Sequence, residues 1–510
     1  MKRKEFHELI PITKAEQILA SIIESGTTVV PIDQAYHHIL AADVIAAIDV
    51  PSFDRADMDG YCVRAADTYI AREGEPMRLR MAGRIPAGDV PTLTVSAGVA
   101  AEISTGAMLP EGADAVVMVE YTEETDSVVS IQRAVHPWEN VMRVGADIRR
   151  GTKVLSEGTL LGPREIGVLA ATGVAQVHVR SLDVGIISTG NELSPPGEEL
   201  QPGQVYDVNA HTIASAVREC GANPVMYGII SDEPEKTEAT LRLAISECDL
   251  VLTSGSTSAG SGDIMPRILA ECGEVLAHGI NIKPGKPMII AKMEKPVIGL
   301  PGFPTSALSM FYFLVAPRIR DLLGYKTSAT HQHAVLGSMV QSVGRHQLLP
   351  VALVRGAAYP IIKASGAITA LASADGFIEI LPETEIMEAG EPVDVVLFGE
   401  VSTDDFVFAG MPSDGANLLI EMLPFRVRVI QTGVAAGVDS VRKGLSDVAG
   451  VPLGSDMLPD SDDLSLIEGF SHGGEAYNFI TLRDQIDSEK IAAFRTVLAS
   501  SKFADRMRRI

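Results

Sequence analysis

The chain has 510 residues, and 42 Lys and Arg against 66 Asp and Glu give a formal charge of −24. At roughly 100–200 residues per domain, that length predicts about three to five domains. A hydrophobic content of 46 % with 21 % charged residues is that of an ordinary globular chain, which excludes long disorder, a collagen-like repeat and a coiled coil. The acidic balance argues against sequence-independent binding of nucleic acid, which needs a basic surface to neutralise phosphates. Cys62, Cys220, Cys248 and Cys272 stand far apart without metal-ligand spacing. That is the pattern of small core residues in a reducing compartment. The N-terminus is basic but lacks the apolar run of a secretory signal. The best apolar stretch, 305–316, falls short of the ~18 residues of a membrane span. A cytoplasmic protein without membrane or nucleic-acid partners is expected.

Thr13 and Glu16 read as a capping box ahead of Ile18, Leu19, Ile22 and Ile23, which predicts a first helix. A second short helix is expected after Asp33. Between Val50 and about Asn140, short apolar runs broken by Gly, Pro and Asp predict a small sheet domain inserted into a helical one. Helical pattern resumes over 162–172. From Ser181 strand and helix alternate. Strands are expected at 183–189, 224–230, 249–255, 288–291 and 296–300. Helices are expected at 209–220, 234–247 and 264–272, with a long closing helix from Thr305. This alternation predicts a parallel sheet covered on both faces. Residues 330–402 return to short strands and Gly-rich turns, hence a small barrel or sandwich. A mixed α/β tail begins at Asp405.

Open α/β sheets bind ligands at the carboxyl ends of their strands. Polar, Gly-rich sequence stands at each of these ends. The runs are S-T-G-N-E at 188–192, S-D-E at 231–233, S-G-S-T-S-A-G-S-G-D at 254–263 and P-G-F-P-T-S at 301–306. The loop 254–263 has the small residues of an anion cradle. It has equally the composition of an ordinary turn in which Asp263 caps the next helix. No Gly-Lys-Ser/Thr follows, so it is not a Walker loop. K-P-G-K-P at 283–287 carries Lys283 and Lys286 on a proline-stiffened loop, with solvated surface lysines as the plain alternative. Glu192, Asp232 and Asp263 would converge at the same edge with oxygens that suit a hard divalent cation bridging phosphates. Each alone reads equally as a cap or a turn residue.

Six motifs occur in order: D-x-D-G-Y (57–61), S-T-G-A-x-L-P-x-G-A-D-A-V-V (104–117), R-x-G-x-D-I (143–148), S-T-G-N-E-L (188–193), K-P-G-K-P (283–287) and L-P-G-F-P (300–304). Over about residues 5–402 the chain thereby resembles the MoeA and gephyrin E-domain family, the molybdopterin molybdenumtransferases. The resemblance implies a multidomain α/β chain. Its parts would be a helical linker domain (1–49 and 141–180), an inserted β domain (50–140), a three-layer α/β/α molybdopterin-binding domain (181–328) and a β-barrel domain (329–402). It further implies insertion of molybdate into adenylylated molybdopterin with release of AMP, supported by Mg2+. A homodimer is implied too, with each site between the main domain of one chain and the inserted domain of the other. Contacts with other molybdenum cofactor biosynthesis proteins would fit this setting.

Carried over motif by motif, Asp59 and Thr105 are the inserted domain's catalytic residues. Glu192, Asp232 and Asp263 are the catalytic, metal-holding carboxylates. Ser254, Ser256, Ser258, Lys283, Lys286, Pro301, Pro304 and Ser306 form the substrate-binding set. Two departures stand out. Ser256 replaces the second glycine of the family's S-G-G-x-S-x-G, so a positive φ there would carry strain. Phe303 stands where many members have Asn. The tail, 403–510, resembles a periplasmic-binding-protein-like domain abbreviated to one lobe. The alternatives are a molybdopterin adenylyltransferase or CinA-type pyrophosphatase on the same α/β domain, and a non-catalytic scaffold whose sheet edge binds a peptide. The first group lacks the inserted domain of Asp59, and the three carboxylates weigh against the second.

Overall fold

The central strands of residues 183–300 are rich in fully buried Val, Ile and Leu, because a strand covered on both faces needs apolar side chains on both. The computed structural model describes residues 9–257, 264–325, 331–362, 366–399, 401, 405–411, 413–452, 462–472 and 475–509. They group into two units, one of residues 26–181 and one of the remainder.

The larger unit is built on a six-stranded sheet. Its strands are β1 (Asp183–Thr189), β2 (Asn223–Ile230), β3 (Leu250–Ser254), β4 (Glu274–His278), β5 (Ile289–Lys292) and β6 (Pro296–Leu300), in the order β2-β1-β3-β6-β5-β4. Five run in one direction, and β5 alone is reversed, pairing antiparallel with both β6 and β4. The all-parallel sheet expected from the alternation is therefore corrected. Only 293–295 separate β5 from β6, which is a hairpin turn and far short of the dozen residues of a parallel crossover. One face packs on the helix Ile12–Ile22, on α1 (Asn209–Glu219) and on the closing helix, through Leu19, Ile186, Val217, Ile298 and Phe311. The other packs on α2 (Pro234–Glu247) and α3 (Met265–Cys272), through Ile187, Leu241, Val251 and Leu269. Three layers result.

The capping box at the first helix does not form. Pro11 occupies the N-cap without a side-chain cap bond, so Thr13 lies two positions inside. The closing helix is continuous but irregular, running through α4 (Pro304–Met310), a π-helical stretch (Phe311–Val315) and α5 (Ala316–Leu323). The wide turn stands directly before Pro317, which has no N–H to give and whose ring crowds the preceding turn.

Beyond it, strands at His331–Leu336, Gln347–Val354, Ala357–Pro360, Gly376–Ile380 and Pro392–Leu397 close into a barrel. The tail forms one five-stranded sheet around buried Phe406, Phe408, Phe479 and Phe494. It is bolted to the barrel by two ion pairs. Arg428 meets Asp375 at 3.1 Å, and Arg355 grips both oxygens of Asp447 at 2.8 Å.

The 26–181 unit holds a six-stranded sheet spanning Gly60–Val63 to Val128–Ile131, beside a strand pair, Gly26–Pro31 with Gln176–Ser181, and a helix, Pro163–Ala171. The helix expected after Asp33 is absent. Residues 32–34 and 36–37 are turn, and His37 has φ +65°, which no right-handed helix accommodates. Among the described residues no helix is long and apolar enough to cross a membrane.

Candidate active site

The polar loops foreseen at the strand ends are tied together by their own side chains. Gly255, after β3, has φ +92°, and a Cβ there would lie 2.2 Å from the Thr189 carbonyl oxygen. Glycine is what lets the ends of β1 and β3 approach. The next residue, Ser256, has φ +49°, so the strain expected from its replacement of glycine is present. Its side chain offsets that strain, because Oγ donates to Asp232 Oδ1 at 2.7 Å. The Asp232 N–H in turn donates to Asn191 Oδ1 at 3.1 Å. The loops after β1, β2 and β3 are thus chained as Asn191–Asp232–Ser256. Glu192 is exposed beside them, its carboxylate folded over Gly190, where a Cβ would come within 2.6 Å of Oε2.

A cleft of about 860 Å³ opens at this edge. Glu192, Ser256, Pro301, Pro304 and Ser306 line it, together with Gly285 and Pro287 from K-P-G-K-P. Lys283 is exposed and Lys286 half-buried on that same loop. Its backbone is fixed, since the Lys283 N–H donates to the His346 carbonyl at 2.9 Å and the Lys286 carbonyl accepts from the Ile280 N–H at 3.1 Å. Pro304 opens the closing helix at N1, where its missing N–H costs nothing. Ser258 and Asp263 lie outside the described residues. Among those described, no three His, Cys, Asp or Glu side chains form a metal-holding group.

One further cleft residue escaped the sequence reading. Asn209 starts α1 but does not cap it; Asp207 Oδ1 accepts the Ala210 N–H instead. The Asn209 amide turns into the site, where Nδ2 donates to Ser254 Oγ at 2.5 Å and to the Gly302 carbonyl at 2.7 Å. Ser254 is accordingly buried and engaged, a pin between strand end and loop. Asn209 Oδ1 is buried without a partner among the described residues. The only signal was an Asp-x-Asn ahead of a helix, which reads as capping.

In the 26–181 unit Asp59 and Thr105 meet, the Thr105 N–H donating to Asp59 Oδ1 at 2.7 Å. Both residues are exposed. Burial pushes the Cys62 and Cys220 thiols up to about 12, so neither offers a thiolate nucleophile near neutral pH.

A three-layer α/β/α domain with a polar cleft at its parallel strand ends, followed by a closed barrel and accompanied by a separate small sheet, places the chain among multidomain α/β proteins whose site lies at a sheet edge. Residues 10–173 match the MoeA N-terminal region (domain I and II), 185–321 the family described as "Probable molybdopterin binding domain", and 333–398 the MoeA C-terminal region (domain IV). The molybdopterin molybdenumtransferase of Bacillus subtilis is 34 % identical over 415 residues, 77 % of this chain and 94 % of that one. That of Haemophilus influenzae is 39 % identical over 298 residues, 58 % of this chain and 72 % of the relative. A crystal structure of a molybdopterin biosynthesis MoeA protein from Pyrococcus horikoshii superposes with a TM-score of 0.66 at 42 % identity, covering 77 % of this chain and 100 % of that one. The chain belongs to the MoeA family of molybdopterin molybdenumtransferases.

Proposed function

We propose that this protein inserts molybdate into adenylylated molybdopterin and releases AMP, a step of molybdenum cofactor biosynthesis. The observation that carries the reading is the Asn191–Asp232–Ser256 chain beside the cleft of Glu192 and Pro301–Ser306. Its small, glycine-bearing loops suit a substrate whose reacting centre is a pyrophosphate, because backbone and hydroxyl groups can approach phosphoryl oxygens closely. Lys283 and Lys286 supply cationic charge for phosphate or the molybdate anion. Pro301 and Pro304 hold the loop that leads into Ser306, which lines the cleft.

Glu192 and Asp232 on adjacent loops, with Asp263 after β3, would hold Mg2+. Carboxylate oxygens are the hard donors that ion takes, and Asp232 gives one oxygen to Ser256 and keeps the other. Held there, the ion would supply positive charge to phosphoryl oxygens. The protein's own part is to orient the pyrophosphate, hold the anion beside it and fix the carboxylates through Ser256 and Asn191. Asp59 and Thr105 complete the site from the inserted domain of a partner chain in a homodimer. The inserted sheet supports this reading over adenylyl transfer, which would not call on it.

Incubation of the full chain with adenylylated molybdopterin, Mg2+ and molybdate tests the proposal. AMP should appear in step with molybdenum cofactor and only when molybdate is present. Formation of adenylylated molybdopterin from ATP, with no molybdate-dependent AMP, would overturn it.

A further inference from the structure

Phe303 is used by none of the steps above, yet its ring stands on the cleft wall 61 % exposed. Its backbone merely caps α4 with ordinary extended angles, φ −73° and ψ 129°, which many residues could adopt. The side chain therefore calls for its own explanation, since an open phenyl ring forgoes roughly 25 cal/mol for each Å² it could bury. One flank of the ring is braced. A Cβ on Gly366, from the barrel, would sit 3.3 Å from it. No other ring among the described residues packs against it.

Phe303 also has apolar company in the cleft. Tyr206, 41 % exposed, and Ile368, 47 % exposed, line the same space as the polar Glu192 and Ser256. The Tyr206 hydroxyl donates to the Glu198 carbonyl at 2.8 Å, which anchors the tip of that side chain. One cleft thus combines a polar, oxyanion-suited lining with braced, exposed aromatic faces. Adenylylated molybdopterin has the matching composition, two linked phosphates flanked by adenine, which is flat and aromatic, and by a reduced pterin whose pyrimidine ring is flat.

We propose that Phe303, with Tyr206, is a stacking platform that sets specificity for a flat heterocyclic ring of the substrate. The inference rests on the molybdate-insertion reading for the identity of the ligand. Adenine and the pyrimidine ring of the pterin share the required chemistry, and separate ligands distinguish them.

The test is calorimetric titration of the full chain and of its Phe303→Ala, Phe303→Leu and Phe303→Tyr variants with AMP, molybdopterin and inorganic pyrophosphate. Phe303→Ala and Phe303→Leu should weaken one ring-bearing ligand roughly tenfold, within the range of base stacking on an aromatic side chain. Phe303→Tyr should retain it, and pyrophosphate should bind all four proteins alike. Loss for AMP assigns the platform to adenine, and loss for molybdopterin assigns it to the pterin. Unchanged affinity for both ring ligands, equal loss for pyrophosphate, or full binding by Phe303→Leu would overturn the proposal. Wild-type AMP release is followed alongside. Turnover with variants that bind alike removes the platform only, whereas a wild type that neither turns over nor binds any of the three ligands removes the functional reading as well.

Discussion

At the edge of the main sheet, polar side chains are tied to one another across three loops, and Asn209 and Ser254 are buried in doing so. In the 26–181 unit, Asp59 and Thr105 stand exposed, joined through one backbone N–H. In the first arrangement the polar groups are held by one another, so each also contributes to folding. The second is fixed in position but open to water, and it needs another surface before it can act on anything. Substitutions in the bonded part of the sheet edge, at Asn209 or Ser256, should therefore disturb stability and turnover together, while those at exposed Glu192 and Asp59 should disturb turnover alone.

The largest effect is expected at the carboxylates. Glu192→Gln should lower AMP release by at least about a hundredfold, since an amide keeps the shape but loses the charge that holds a cation. Glu192 is exposed, so its unfolding midpoint should stay that of the wild type. A variant that turns over normally would remove it from the metal-holding set.

Asn209→Ala sharpens the contrast from the other side. It leaves the buried Ser254 hydroxyl and the Gly302 carbonyl without their donor, at a cost of about 2 kcal/mol in urea denaturation, and turnover should fall with it. Loss of turnover at full stability would move Asn209 from positioning to direct contact. Asp59→Ala is the mirror case, with inactivity expected at an unchanged midpoint.

A smaller effect separates strain from bonding at Ser256. Ser256→Ala keeps the left-handed backbone and loses the bond to Asp232, which should cost about 1–2 kcal/mol. Ser256→Gly loses the same bond but relieves the backbone, so its stability should fall within about 1 kcal/mol of the wild type. Equal destabilisation by both would mean that the φ of +49° stores no strain worth measuring.

Much of this was legible in the sequence because it is local. The apolar runs of β1, β2, β3 and β6, the helix from Pro234 to Glu247 and the Gly-rich ends of the strands each follow from a few neighbouring residues. Ser256 announced its positive φ by standing where glycine is usual. What escaped depends on partners distant in sequence or on one overriding residue. Asn209 reaches Ser254 and Gly302, 45 and 93 positions away, and no periodicity encodes such a link. The reversed direction of β5 follows from its three-residue connection to β6 rather than from any apolar pattern. Pro11 displaced the expected capping box, and the left-handed His37 ended a helix that propensity alone would have allowed.

In the proposed dimer, Glu192 at the sheet edge of one chain and Asp59 of its partner belong to one site. Subunits carrying Asp59→Ala and subunits carrying Glu192→Gln should each be inactive alone, because each kind of dimer lacks a group in both of its sites. Mixed at equal amounts, half the dimers carry one of each, and one of their two sites joins an intact edge to an intact pair. AMP release should then recover to about a quarter of wild type, by the closed two-fold logic of such dimers. No recovery, with subunit exchange verified by a separate label, would place both residues in the site of a single chain and contradict the shared cleft.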